Sequence, residues 1–187
     1  MSERLAVDLG VLAETPATAL LNPVDGEWRP ATAAARRLEL SAGAEVDAQR
    51  RALGELPVGS AAITAAGSLP AQFLIHVVVR SRDEGVTRGG VRRALQNGLR
   101  RAVEWAIADV AMPPLGTGAG NLDAEESAAV MLPVLREHLQ TALHPARVRI
   151  VVESQYELDA FRRELGRGDD ALPELPALAD ADPPGSG

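Results

Sequence analysis

The ten residues Pro113-Pro114-Leu115-Gly116-Thr117-Gly118-Ala119-Gly120-Asn121-Leu122 set three glycines around one threonine, a composition suited to holding a polyanion on bare backbone. Glycine has no Cβ and takes φ > 0 without penalty, so successive N–H groups can turn into one concavity and reach phosphate oxygens with no cationic side chain. An apolar run, Val110-Ala111-Met112, precedes the loop, and Asp123-Ala124-Glu125-Glu126, which reads as a helix start, follows it. The segment therefore sits at a strand-to-helix junction, where open α/β sheets bind ligands. Its spacing is neither that of the P-loop, which ends in Gly-Lys-Ser/Thr, nor that of the dinucleotide fingerprint. On spacing alone, a tight turn without a ligand is an equal reading.

The remaining residue types exclude more chemistry than they offer. There is no cysteine, which removes disulfides, thiolate metal sites and thiol nucleophiles together. All 19 basic residues are arginine, so no lysine is present for Schiff-base chemistry. His76, His138 and His144 lack the His-x-x-x-His spacing of a zinc site, so neither a metal nor any other cofactor is expected. Ser127 and Thr117 have no adjacent His or Asp pattern for nucleophilic catalysis. His76 lies between Ile75 and Val77 in a strand-like run and reads as a packed, hydrogen-bonded histidine.

The 187 residues are 46% hydrophobic and 24% charged, enough apolar content for a domain that stands alone. The net charge of -7 argues against a broad nucleic-acid surface. No apolar run approaches the about 20 residues of a membrane span, and Met1-Ser2-Glu3-Arg4 is not a secretory leader, so a cytoplasmic protein is expected.

Strands are predicted over 4–9, 18–22, 60–64, 72–80, 108–112 and 147–153, and helices over 31–42, 45–53, 91–107, from Asp123 onward, and 154–165. In the third helix Val91, Leu95, Leu99, Ala102, Val103 and Ala106 share one face, opposite Arg93, Arg100 and Arg101, with Trp105 at its edge. Asp123 with Glu126, and Ser154 with Glu157, have capping-box spacing. Pro133 predicts a kink or break, and Gly166 an end to the last helix. The pattern is α/β: a three-layer α/β/α sandwich around a mixed, roughly six-stranded sheet. The domain is expected to span 1–166. Residues 167–187, rich in Asp, Glu, Pro and Gly with a net charge of -4, are expected to form a disordered acidic tail.

Three further segments carry a family resemblance. Residues 50–64, with Pro57-Val58-Gly59, look like a helix, a Pro-x-Gly turn and a strand ending in Thr64. Leu69-Pro70-Ala71-Gln72-Phe73-Leu74-Ile75-His76-Val77-Val78 is similar to the Leu-Pro-Ala-Lys-Tyr-Val-Ile-His-x-Val strand of macro domains, and Pro114 to Gly120 resembles the second phosphate loop of many bacterial members. The resemblance to this ADP-ribose-binding family covers about residues 3 to 165.

The resemblance also exposes departures. The Gly-Asp-Ile whose aspartate receives the adenine amino group becomes Gly10-Val11-Leu12, with Asp8 nearby reading as a strand residue facing water. The Asn-Ala-Ala-Asn motif becomes Asn22-Pro23-Val24-Asp25, which places a carboxylate where asparagine meets the distal ribose. The first glycine loop becomes Gly26-Glu27-Trp28-Arg29-Pro30-Ala31-Thr32-Ala33. Trp28 and Arg29 are suited to stacking on a base and touching phosphate; equally, Trp28 is suited to filling the space the glycines left.

The resemblance implies binding of ADP-ribose or a related nucleotide through Asn22, Asp25, Trp28, Arg29, Gly116, Thr117, Gly118, Ala119 and Gly120. An ADP-ribosylated protein is a second partner it implies. Two alternatives stand beside this. One is a hydrolase of ADP-ribosyl or O-acetyl-ADP-ribose esters with Asp25 as its base. The other is a degenerate fold serving as a protein-interaction module.

Overall fold

The computed structural model describes residues 4–118 and 121–169. Alternation at period two builds its layers. Along β2 (Ala19–Asp25) Leu20 packs with Leu38, Ala42 and Val46, while Leu21 joins Leu95, Leu99 and Met131 on the other face. Side chains of a strand point to opposite faces, so each central strand feeds two cores.

β2 belongs to one sheet with β1 (Leu5–Leu9), β3 (Ala61–Ala65), β4 (Phe73–Arg80), β5 (Asp109–Met112) and β6 (Arg147–Val152), in the order β1-β6-β5-β2-β4-β3. All neighbours are parallel except β3, which runs antiparallel to β4 at one edge. Helices α1 (Ala33–Ala42) and α2 (Ala44–Leu53) cover one face; α3 (Arg88–Glu104), α4 (Ala124–Thr141) and α5 (Gln155–Asp169) cover the other. This is the mixed six-stranded α/β/α sandwich expected from the sequence. No helix among the described residues is long and apolar enough to cross a membrane.

Where expectation and structure differ, packing explains the difference. β2 continues through Pro23 to Asp25, because β5 pairs only with Ala19 and Leu20 and asks no ladder donor of the proline on that side. Pro133 does not break α4, whose Val130, Met131, Leu132, Val134 and Leu135 are all buried around it. α5 runs through Gly166 to Asp169, with the Arg136 guanidinium donating to the Glu164 and Leu165 carbonyls. Val103, assigned to the buried stripe of α3, is 45% exposed, and α3 ends before Ala106. Trp105 lies at the edge as expected, against Phe73.

One topological feature positions the site. From β2 the chain crosses outward to the edge strand β3 by way of α1 and α2, and returns to β4 beside β2, whereas from β5 it crosses to β6 through α4 on the opposite face. The two adjacent parallel strands thus send their connections apart, and a crevice opens at their C-terminal ends.

Candidate functional site

The β2 side of the crevice is a tight hairpin. After Asp25 the chain turns back so that Pro30 bridges Val24 antiparallel, and Ala31 N–H donates to the Pro23 carbonyl (3.0 Å). The Asp25 carboxylate staples this turn. Its Oδ1 accepts from the Glu27 and Arg29 amides (3.0 and 2.9 Å), and its Oδ2 accepts from Arg29 Nε (2.8 Å). Thr32 then caps α1 by accepting from Ala35 N–H. Asp25 is buried with both oxygens engaged, which is the geometry of a structural carboxylate. The Arg29 side chain stays 61% exposed at the rim.

Of the two roles the sequence left open for Trp28, the observed geometry is filling. Its indole is 9% exposed, packs with Val24 and Val78, stands edge-on to His76 with centroids 5.5 Å apart, and donates from Nε1 to the Gly54 carbonyl (2.6 Å). No face is turned outward for a base. Trp28 holds φ at 69°, a left-handed conformation that costs a non-glycine residue about 1–2 kcal/mol, so the buried indole holds the backbone there.

Asn22 lies beneath this hairpin, fully buried. Its amide Nδ2 donates toward Glu39 Oε1 (3.2 Å) and His76 Nδ1 (3.2 Å). With Nδ1 accepting, His76 carries its proton on Nε2 and donates to Thr64 Oγ1 (2.9 Å), whose hydroxyl donates to the Ala65 carbonyl. Burial, with Arg50 nearby, pushes the His76 pKa down to about 3, so the ring is neutral. Glu39 also accepts from Arg50 Nη1 (2.5 Å), which bonds the Trp28 carbonyl as well (3.1 Å). Burial raises the Glu39 pKa and the Arg50 charge opposes the shift. Asn22 Oδ1 is buried and has no partner among the described residues.

The β5 side is built differently. Gly116 and Gly118 hold φ at 76° and 126°, and the turn closes through Leu122 N–H to the Gly116 carbonyl (3.0 Å) and Asn121 N–H to Gly118 (3.1 Å). At Gly116 a Cβ would come within 2.6 Å of Val91 Cγ2, so the glycine is sterically required. At Gly118 a Cβ would lie 3.3 Å from Asn121 Nδ2 and 4.0 Å from the Ala31 carbonyl, which brings this exposed residue face to face with the hairpin. Thr117 is half-buried beside it. Buried Ser127 anchors the loop base by donating to the Leu115 carbonyl (2.8 Å), and the predicted Asp123–Glu126 capping box starts α4. Ala119 and Gly120 lie outside the described residues.

At the base of β1, Val11 is 37% exposed and Leu12 buried. Asp8 faces water and pairs with Arg149. Sequence reasoning missed a 490 Å³ cavity behind the hairpin, lined by Asp25, Arg29, Pro30, Arg36, Arg80 and Ser81. Its signal is visible only once strands are paired, because Arg80 stands opposite Asp25 in the β2–β4 register. A larger cavity, 580 Å³, lies between α3 and α4, away from both loops.

Comparison with known proteins places this geometry in context. The family model described as "Macro domain" matches residues 21–131. An uncharacterised protein of Aeropyrum pernix is 34% identical over 142 residues, 71% of this chain and 72% of its own. Among solved structures, the Oceanobacillus iheyensis macrodomain with ADP superposes with a TM-score of 0.81 at 19% identity, covering 89% of this chain and 92% of that one. The Trypanosoma brucei macrodomain in complex with ADP gives 0.79 at 15% identity, covering 88% and 70%.

Proposed function

The chain belongs to the macro domain family, and from that premise we propose that its crevice between β2 and β5 binds ADP-ribose or a related nucleotide diphosphate. The observation that carries this reading is the pair Gly116 and Gly118, both at positive φ beyond the C-terminal end of β5, with Gly118 facing Ala31 at the topological switch. Backbone N–H groups of this loop supply donors for the diphosphate. Thr117 adds a hydroxyl, and Arg29 a guanidinium at the rim. The solved macrodomains with ADP support the ligand class.

Asp25 and Trp28 serve as supports in this proposal, since their polar atoms are spent on Glu27, Arg29 and Gly54, and Asn22 is held from below through its Nδ2 by Glu39 and His76. Val11 offers the base an apolar surface and no acceptor, so base recognition rests on packing. Binding is preferred to hydrolysis because a general base must come within hydrogen-bond reach of a water, and Asp25 is buried with three donors already fixing its carboxylate to the hairpin. The filled wall around Trp28 favours one second reading, a fold acting through a protein interface.

Calorimetric titration with ADP-ribose decides between them. Micromolar binding by the native chain, weakened at least about tenfold in a folded Gly118→Glu variant, is the expected result. Absence of heat at millimolar ligand would overturn the proposal in favour of the interface.

A further inference from the structure

The 490 Å³ cavity is lined by three arginines and one carboxylate, in a chain whose net charge is -7. The carboxylate, Asp25, is already neutralised by Arg29. Neither Arg36 nor Arg80 forms an ion pair among the described residues; the cavity's only ion pairs are those of Arg29 with Asp25 and Glu27. Ser81 Oγ accepts from the Glu84 amide (3.0 Å), and its own proton has no acceptor among the described residues. The lining therefore presents two uncompensated guanidinium groups and a hydroxyl donor to one space, large beside the about 30 Å³ of a liquid water.

Guanidinium groups match phosphoryl oxygens in geometry and charge, and a site that gathers them without counter-charge favours an anion. We infer that Arg36, Arg80 and Ser81, with Arg29 at the edge, form a seat for a phosphoryl group separate from the glycine loop. Pro30 walls the cavity and the next residue, Ala31, faces Gly118, so consecutive residues face the two places. The seat does not depend on ADP-ribose binding. Its phosphoryl group is either free or carried on a sugar.

The test uses inorganic phosphate and ribose 5-phosphate as probes, titrated in the Gly118→Glu background so that the glycine loop contributes nothing. Binding there, weakened at least about tenfold by Arg36→Gln with Arg80→Gln at unchanged melting temperature, is the expected result. Tighter binding of ribose 5-phosphate assigns the group to a sugar, and equal or tighter binding of phosphate assigns a free anion. Equal affinities with and without the two arginines, or no binding at 10 mM (about 3 kcal/mol at most), overturn the inference. A second measurement needs no variant. Phosphate should protect Arg36 and Arg80 of the native chain from phenylglyoxal, read by peptide mass, more than it protects exposed Arg92; equal modification overturns the seat.

Discussion

The two walls of the crevice meet the same need by opposite means. The β5 wall is main chain: two glycines at positive φ, a turn closed by its own amides, and a buried serine under its base. The β2 wall is side chain: a carboxylate that staples a hairpin, an indole that fills it, and a buried Glu39–Arg50–Asn22–His76–Thr64 network beneath. The wall of backbone spends only the Asn121 and Leu122 amides on closing its own turn, whereas the wall of side chains spends the Asp25 carboxylate and the Trp28 indole N–H on holding itself. The difference assigns rigidity to the second, and the proposed binding places recognition on the first.

Breaking the β2 wall should therefore cost stability. Trp28→Ala removes a buried indole and is expected to cost about 3–5 kcal/mol in urea unfolding, against about 1–2 kcal/mol for Trp28→Phe, which loses chiefly the bond to Gly54. A Trp28→Ala loss below about 1 kcal/mol would show that the indole does not hold the wall. Arg50→Ala comes next, at about 3 kcal/mol, because it strands the half-buried Glu39 and frees the Trp28 carbonyl. A near-neutral result would mean that water replaces the guanidinium. On the β5 side, Gly118→Glu should cost only about 1 kcal/mol of backbone strain while losing the ligand.

The last effect is one of pH. An unfolded histidine takes up a proton near 6.5 and folded His76 only near 3, so between those values the unfolded state holds more protons. The stability His76 contributes is complete above 6.5 and falls as pH drops, by at most about 1.4 kcal/mol per pH unit. His76→Gln should remove that part of the slope. Identical slopes in the two proteins between about pH 6 and 4 would contradict a neutral buried ring.

The turn at the glycine loop could be read from sequence because glycine spacing states a conformation directly, and Gly116 and Gly118 take the positive φ it predicts. Asn22 and Asp25 could be placed on the correct wall but not given their partners, since Glu39, Arg50 and His76 approach only through α1, α2 and β4. Pro23 misled for a local reason: a proline ends a strand only where a neighbour demands its N–H, and β5 does not. Arg36 lies on the exposed side of α1, and Arg80, which lines the same cavity, lies 44 positions later, so the cavity has no linear signature. The strands and helices needed no such long-range knowledge, because alternation and capping are encoded within a few residues.

The placement of the two tryptophans gives the molecule a native optical contrast. Trp28 is sealed in the hairpin at 9% exposure, and Trp105 stands at the end of α3 at 55%. One indole therefore emits from an apolar shell against a neutral imidazole and the other from water, so the blue edge of the fluorescence spectrum belongs to the crevice and the red edge to the rim of the sheet. Opening of the hairpin alone would redden the emission while leaving Trp105 accessible to quenchers as before, which separates a local event from loss of the whole fold without any label.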